Sequence, residues 1–338
     1  MADEPLDLGT LGSYLRTHVQ EMGNLKGAEK FSDGQSNPPY LLDTDSGQYV
    51  LRRQPPGELL KSAHAVDREF RVIKALQGSE VPVARAIHLC ADRSIIGSLF
   101  YVMSFEPGSI YWDPTLPELD ADQRGAIYSE MNRVLAALHD IDVESVGLAD
   151  FGRPGSYFER QISRWSGQYR ATEIDPIPAM HKLIEWLPRN MPADDGKVSL
   201  IHGDYRIDNI IFETAGSRAR ALLDWELSTL GHPYADLAYQ CMQWRMARDG
   251  VIPGFGDIDR ESLGIPNEAQ YVAQYCERRG LNGIPEWNFY LVFGFFRFAA
   301  ILQGVLKRAV DGNASSRKAF DYGALAVPLA NMAVDLIE

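Results

Sequence analysis

The stretch His202–Gly203–Asp204–Tyr205–Arg206–Ile207–Asp208–Asn209 gathers carboxylates, an imidazole, a guanidinium and a carboxamide into one short polar loop. Apolar runs bracket it, Ser199–Leu200–Ile201 before and Ile210–Ile211–Phe212 after. A second acidic segment, Leu222–Leu223–Asp224–Trp225–Glu226, places Asp224 15 residues beyond Asn209. Taken singly, Asp and Asn are common turn formers. Together they suit phosphoryl transfer, which needs a carboxylate beside the attacking hydroxyl and oxygen ligands for magnesium. A loop with Asp204 and Asn209 five positions apart can aim one at the substrate and the other at the metal. Asp224, at the end of a second strand, can reach the same metal.

The surrounding pattern divides the chain. Residues 1–105 carry short strand-like runs at 27–33, 39–43, 48–53, 86–91 and 98–104, separated by Asp-Gly, Asn-Pro-Pro and Asp-Ser-Gly turn signals. Between them Val66, Phe70, Ile73 and Leu76 recur near a 3.6 period and predict a helix. This part reads as a small antiparallel sheet with one long helix. From 106 to 338 the pattern is helical. Met131, Val134, Leu135 and Leu138 share a face, Phe158, Ile162 and Trp165 mark a further helix, and residues 286–309 and 318–336 read as two more. Short strands at 198–202 and 219–223 flank the polar loop.

The run IHGDYRIDNIIF with ALLDWELSTLGHPYADLAY resembles the aminoglycoside phosphotransferase superfamily, which includes choline kinases. Within it the chain is most similar to the kinase-like domains associated with acyl-CoA dehydrogenases. Protein kinases write the corresponding segments H-R-D-x-x-x-x-N and D-F-G; here Gly203 replaces the Arg. The resemblance implies an α+β, bilobal, protein-kinase-like fold, with residues 1–105 as a nucleotide-binding N-lobe and 106–338 as a larger, mostly helical C-lobe. It implies ATP and Mg2+ as cofactors and transfer of the γ-phosphate to a hydroxyl of a small molecule, with hydroxy-acyl compounds among the acceptor classes. Asp204 is then the implied base, with His202 and Arg206 beside it in the catalytic loop. Asn209 and Asp224 are the implied metal ligands, with Glu226 either a helper near the metal or a solvated acid. Ser32, Gly34, Gln35, Ser36 and Asn37 fall in the nucleotide loop, and Met103 and Phe105 in the hinge that meets adenine. Arg52 stands where the superfamily's third-strand Lys grips phosphate, Arg53 is the rival, and Glu69 is the implied helix partner. Asp236 resembles the structural acid that braces the catalytic loop. Arg206 is also a candidate for facing an anionic acceptor.

Composition trims the alternatives. Neither G-x-G-x-x-G nor G-x-x-x-x-G-K-[ST] occurs, which excludes a P-loop enzyme on motif grounds. The 338 residues carry 33 basic and 46 acidic side chains, a formal net charge of -13, unlike a protein that neutralises nucleic-acid phosphates. Residues 1–105 hold 11 basic and 13 acidic side chains, so 22 and 33 remain for residues 106–338, whose net charge is -11. That acidity suits either ordinary solubility or a cationic acceptor of the aminoglycoside or choline type. Three scattered cysteines, no His pair at zinc spacing and an acidic start without an apolar run lead to the expectation of a cytoplasmic protein with neither disulfides nor zinc. Residues 289–306 are nearly continuously apolar, but Arg297 lies in the middle. A charge at a membrane-span centre costs about 2.5–3.5 kcal/mol on insertion scales, so the segment reads as a buried core helix and no membrane association is expected. Two other functions compete with the kinase reading: a nucleotide-binding pseudokinase-type module and nucleotidyl transfer.

Overall fold

The structure is a computed structural model that describes residues 6–31, 39–55, 65–256, 258–312 and 318–338. The chain forms two compact units, one of residues 1–109 with 211–214 and 220–227, the other of residues 110–210, 215–219 and 228–338.

The first unit opens with α1 (Leu8–His18), a helix that the periodicity reading did not anticipate. Its start is nonetheless written locally: the Asp7 side chain accepts from the Gly9 and Thr10 N–H groups, and Leu11 and Leu15 are buried one turn apart. Five antiparallel strands follow, β1 (Leu25–Lys30), β2 (Pro39–Thr44), β3 (Gly47–Arg53), β4 (Ala86–Cys90) and β5 (Phe100–Ser104), in the order β1-β2-β3-β5-β4. Leu11, Leu15, Leu42, Leu51, Phe100 and Val102 join helix and sheet in one apolar cluster. The helix α2 (Val66–Ala75) buries Val66, Glu69, Val72 and Ile73. A buried glutamate on an otherwise apolar face needs a partner, and its partner belongs to the site described below.

The second unit is built on helices α3 (Ala121–His139), α4 (Tyr157–Thr172) and α5 (Pro178–Arg189). Next comes β6 (Ser199–Ile201). The strands β7 (Ile210–Phe212) and β8 (Ala219–Leu222) pair with each other, and most of their residues belong to the first unit. β9 (Thr229–Gly231) pairs antiparallel with β6. Helices α6 (Tyr234–Cys241), α7 (Glu268–Arg278), α8 (Trp287–Val310), α9 (Ala319–Ala324) and α10 (Ala326–Asp335) complete the unit. The apolar segment is α8, and 78% of its most apolar window is buried inside the protein, so its hydrophobicity is used in packing. The single helix expected over 318–336 is two. Pro328 has no N–H and its ring crowds the carbonyl four residues back, at Ala324, where α9 stops. Gly323 lets α9 approach α8, since a Cβ there would sit 2.5 Å from Leu306 Cβ.

His232, just before α6, is buried among Phe158, Tyr234 and Tyr290. Its Nδ1 accepts from the Tyr234 N–H and its Nε2 meets Asp195 Oδ1 at 3.2 Å. Burial outweighs the attraction of Asp195 and brings its pKa from 6.5 down to about 4. Below pH 6.5 the unfolded chain therefore takes up a proton that the folded chain refuses, and stability falls as pH drops toward about 4. Between pH 7 and 5 the expected loss from this group is on the order of 1–2 kcal/mol. Urea unfolding at both pH values checks it: a His232→Gln variant should show a shallower acid-side decline, and an unchanged slope would contradict the assignment.

Candidate active site

In the second unit β6 delivers the chain into the polar loop at His202, which is fully buried. Gly203 has φ +86°, a left-handed conformation that favours glycine and accounts for Gly where protein kinases carry Arg. The turn directs two consecutive backbone donors at one carboxylate: His202 N–H reaches Asp236 Oδ2 at 2.6 Å and Gly203 N–H reaches Asp236 Oδ1 at 2.9 Å. Asp236 lies in the first turn of α6 and is almost fully buried. Burial pushes its pKa up, but the bond and charge of His139, the charge of His202 and the Gly203 N–H outweigh that and hold it below the ordinary value. His139 Nε2 stands 3.4 Å from Asp236 Oδ2, and burial keeps that imidazole's pKa below the ordinary one. His202 Nδ1 in turn accepts the Asp204 N–H at 3.2 Å. These bonds attach His202 to the loop's backbone scaffold.

Asp204 is half-buried and held on both oxygens. Tyr239 Oη donates to Oδ1 at 2.7 Å, while Asn209 Nδ2 donates to the Asp204 carbonyl at 2.9 Å and to Oδ2 at 3.2 Å. Asn209 Oδ1 keeps no partner among the described residues. Tyr239 was not among the residues picked from the sequence. It sits three positions after Asp236, on the same face of α6, so one helix braces the loop backbone and orients the carboxylate that follows. Burial first, and Asp204 next, raise the Tyr239 pKa, which keeps its hydroxyl protonated as a donor. Arg206, a candidate for facing an anionic acceptor, is paired within the loop. Its Nε and Nη2 bind Asp208 Oδ1 and Oδ2 at 3.0 and 2.5 Å, a two-pronged pair that satisfies the charge within the loop.

The remaining candidates lie in the first unit. Strand alternation sends Arg52 and Arg53 to opposite faces of β3. Arg53 is buried and donates to Tyr40 Oη at 3.1 Å. Arg52 faces the acids: its Nε is 3.3 Å from Glu69 Oε2 and its Nη2 donates to Asp224 Oδ1 at 3.1 Å. Tyr101 Oη donates to the same Glu69 oxygen at 3.0 Å, so the buried glutamate of α2 is satisfied. Asp224 has φ +63°, unusual for a non-glycine residue. Glu226 is half-buried in the turn Trp225–Leu227 that follows. Met103 is buried within β5 and Phe105 comes directly after that strand. Ser32, Gly34, Gln35, Ser36 and Asn37 lie outside the described residues.

The donor chemistry fits magnesium. Asn209 offers an amide oxygen and Asp224 a carboxylate, both hard ligands. No group of three or more His, Cys, Asp or Glu among the described residues could hold a metal by itself. Magnesium is normally completed by substrate phosphates and water, so few protein oxygens are needed.

A family model described as the phosphotransferase enzyme family matches residues 27–289. The chain is similar to acyl-CoA dehydrogenase family member 10 of Mus musculus, with 48% identity over 307 residues covering 90% of this chain and 29% of that protein. It is also similar to acyl-CoA dehydrogenase family member 11 of Homo sapiens, with 41% identity covering 98% of this chain and 43% of that protein. The chain thus spans less than half the length of either relative. Among solved structures, a Ralstonia eutropha protein assigned to the aminoglycoside phosphotransferases has 46% identity and a TM-score of 0.90, with 98% of each chain covered. A spectinomycin phosphotransferase bound to ADP and spectinomycin has 16% identity and a TM-score of 0.67, with 98% of this chain and 99% of that one covered; at that identity it speaks to fold alone. The fold is the α+β, protein-kinase-like one that the sequence motifs implied.

Proposed function

The chain belongs to the phosphotransferase enzyme family, and from that premise we propose that it moves the γ-phosphoryl group of ATP, with magnesium, to a hydroxyl of a small molecule. The observation that carries the reading is Asp204, half-buried, fixed on one oxygen by Tyr239 and on the other by Asn209. Asp204 accepts the acceptor's hydroxyl proton as the oxygen attacks phosphorus. The breaking bond is the one between the γ-phosphorus and the bridging oxygen, and ADP leaves. Arg52, steadied by Glu69, grips phosphate with planar, paired donors where other family members use Lys. The family motif assigns Asn209 and Asp224 to magnesium, which would supply charge neutralisation at the phosphates. Glu226 stands beside Asp224 in sequence as an additional acid. A pseudokinase-type module would have no use for an oriented base, and this favours the enzyme reading.

For the acceptor, the similarity to proteins named for acyl-CoA dehydrogenation supports a hydroxy-acyl compound. The relatives named for aminoglycosides support a cationic sugar instead.

Calorimetric titration of ATP, with and without magnesium, tests the nucleotide part. Binding should tighten about tenfold or more with magnesium, and Asp224→Ala should erase that increment. Failure of ATP, GTP and ADP all to bind, or affinity indifferent to magnesium, would overturn the reading.

A further inference from the structure

The catalytic loop is held from behind by a row of buried polar groups that begins on α7, outside the site. Gly203, whose peptide precedes Asp204, is fixed at both ends: Arg297 Nη2 donates to its carbonyl at 2.9 Å, and its N–H donates to Asp236 Oδ1 at 2.9 Å. Behind Asp236 stands His139, the last residue of α3, which is buried. Both of its ring nitrogens have partners: Nε2 lies 3.4 Å from Asp236 Oδ2, and Nδ1 lies 2.7 Å from Tyr275 Oη. Its carbonyl accepts from Ser199 Oγ at 2.9 Å, at the first residue of β6, the strand that delivers the chain into the loop. Tyr275 is fully buried on α7. Arg279, one turn later, brings Nη1 to 3.5 Å from the Tyr275 hydroxyl and pairs through Nε with Asp140 Oδ1 at 2.8 Å.

The partners at the two ends of this row fix where its protons sit. A guanidinium can only donate, so Arg279 points N–H at the Tyr275 oxygen, and that hydroxyl is left to donate onward to His139 Nδ1. An ionised carboxylate can only accept, so Asp236 requires a proton on His139 Nε2. Both ends therefore select the same form of the imidazole, neutral with its proton on Nε2. Burial, first, disfavours the charged ring and Arg279 adds to that; Asp236 and Asp140 oppose it, and the balance leaves the pKa below the ordinary value. His202 acts on the same Asp236, and a protonated His232 repels a protonated His139. Packing alone asks for none of this. An apolar side chain at position 139 would fill the space between α3 and α7, whereas a buried polar row is unfavourable unless each member is satisfied.

We propose that Tyr275 and His139 are positioning residues for Asp204 that act through Asp236: the Tyr275 hydroxyl keeps His139 neutral, and Asp236 thereby keeps its full charge for the His202 and Gly203 N–H groups that set the loop. A protonated His139 would draw Asp236 Oδ2 toward itself and away from the His202 N–H, which now holds it at 2.6 Å. The effect on transfer rests on the phosphotransferase reading above; the placement of the protons does not.

Tyr275→Phe tests this, because it removes the donor and leaves the ring. His139 Nδ1 is then open to a proton, beside an anionic Asp236, so the variant should match the native protein at high pH and fail earlier on acidification. Turnover is read as ADP formation by the full chain with ATP, magnesium and hydroxy-acyl compounds or kanamycin as acceptors. The expected kcat is within about twofold of native at pH 8.5, with the acid limb displaced upward by about one pH unit, a deficit of about tenfold on that limb, and KM for ATP unchanged. The double variant Tyr275→Phe/His139→Gln has no imidazole to charge there and should lose the displacement. NMR of the full chain carrying nitrogen-15 histidine gives a readout independent of turnover. The resonance that vanishes in His139→Gln should report a neutral ring protonated at Nε2 between pH 8 and 6 in the native protein, and a charged ring at pH 6 in Tyr275→Phe. The native spectrum decides the proton placement even where the variant fails to fold. A native His139 that is charged at pH 7 or carries its proton on Nδ1, a Tyr275→Phe kcat reduced in the same proportion at every pH, or a pH profile identical to native would overturn the proposal. The predicted spectra without ADP formation from any acceptor would uphold the proton placement and overturn the phosphotransferase reading instead.

Discussion

Replacing Asp204 by Asn should leave ATP affinity within about twofold of the native value and reduce phosphoryl transfer by about 10²–10⁴-fold, the span that general bases contribute. The substitution keeps shape and removes basicity. It also leaves one oxygen where there were two. Tyr239 Oη now donates to Oδ1 at 2.7 Å and Asn209 Nδ2 to Oδ2 at 3.2 Å, and a carboxamide can satisfy only one of these donors. Asn209 retains its 2.9 Å bond to the residue's carbonyl, so the loop itself should hold. Release of ADP in the presence of an acceptor gives the transfer rate, and calorimetry with ATP gives the affinity. Loss of both together would mean that the substitution had disturbed the loop and not the proton transfer.

Asp236→Ala should be the most destabilising single change in the loop's surroundings, on the order of 3–5 kcal/mol. The carboxylate is almost fully buried and accepts two main-chain donors, from His202 and Gly203, besides facing His139. Its removal leaves two buried N–H groups without an acceptor, each at about 1–3 kcal/mol. Asp236→Asn should do little better, because one of its two terminal atoms would present N–H to another N–H. Urea unfolding measures the loss. Because the same carboxylate sets the turn that carries Asp204, transfer activity should fall in both variants even under conditions where they remain folded. A cost below about 1 kcal/mol would show that water or His139 takes over the two donors.

How much of this was legible beforehand depended on whether a residue's partner was close in sequence. Asp204 and Asn209 stood out because their proposed roles fix their spacing within one loop, and Asp224 because it sits in a second acidic segment 15 residues beyond Asn209. Asp236 did so through its position at the start of a helix. Tyr239 did not: a buried tyrosine on a helix looks like core, and only its offset of three residues from Asp236 hinted that both share a face. The choice between Arg52 and Arg53 was open for a related reason. Alternation along a strand says that neighbours face opposite ways but not which way, and the deciding partner, Asp224, lies 172 positions distant. Arg297 was visible as a charge in an apolar run, and its presence was sufficient to argue against a membrane span. Its contact with Gly203, 94 positions away, belongs to the packing of helices and leaves no local trace. The helix α1 was missed although Asp7 supplies its cap, because a single buried stripe of Leu11 and Leu15 is a weak periodic signal. The break between α9 and α10 was readable from Pro328 alone.

The central claim is transfer of a phosphoryl group from ATP to a hydroxyl under the control of Asp204. Mass spectrometry of hydroxy-acyl and aminoglycoside acceptors after incubation with the protein, ATP and magnesium tests it most directly. The account predicts that an acceptor gains one phosphoryl group, with an equal amount of ADP formed, and that Asp204→Asn forms neither. Gain of an AMP group with release of pyrophosphate, or phosphorylation that proceeds undiminished in the Asp204→Asn protein, would contradict it.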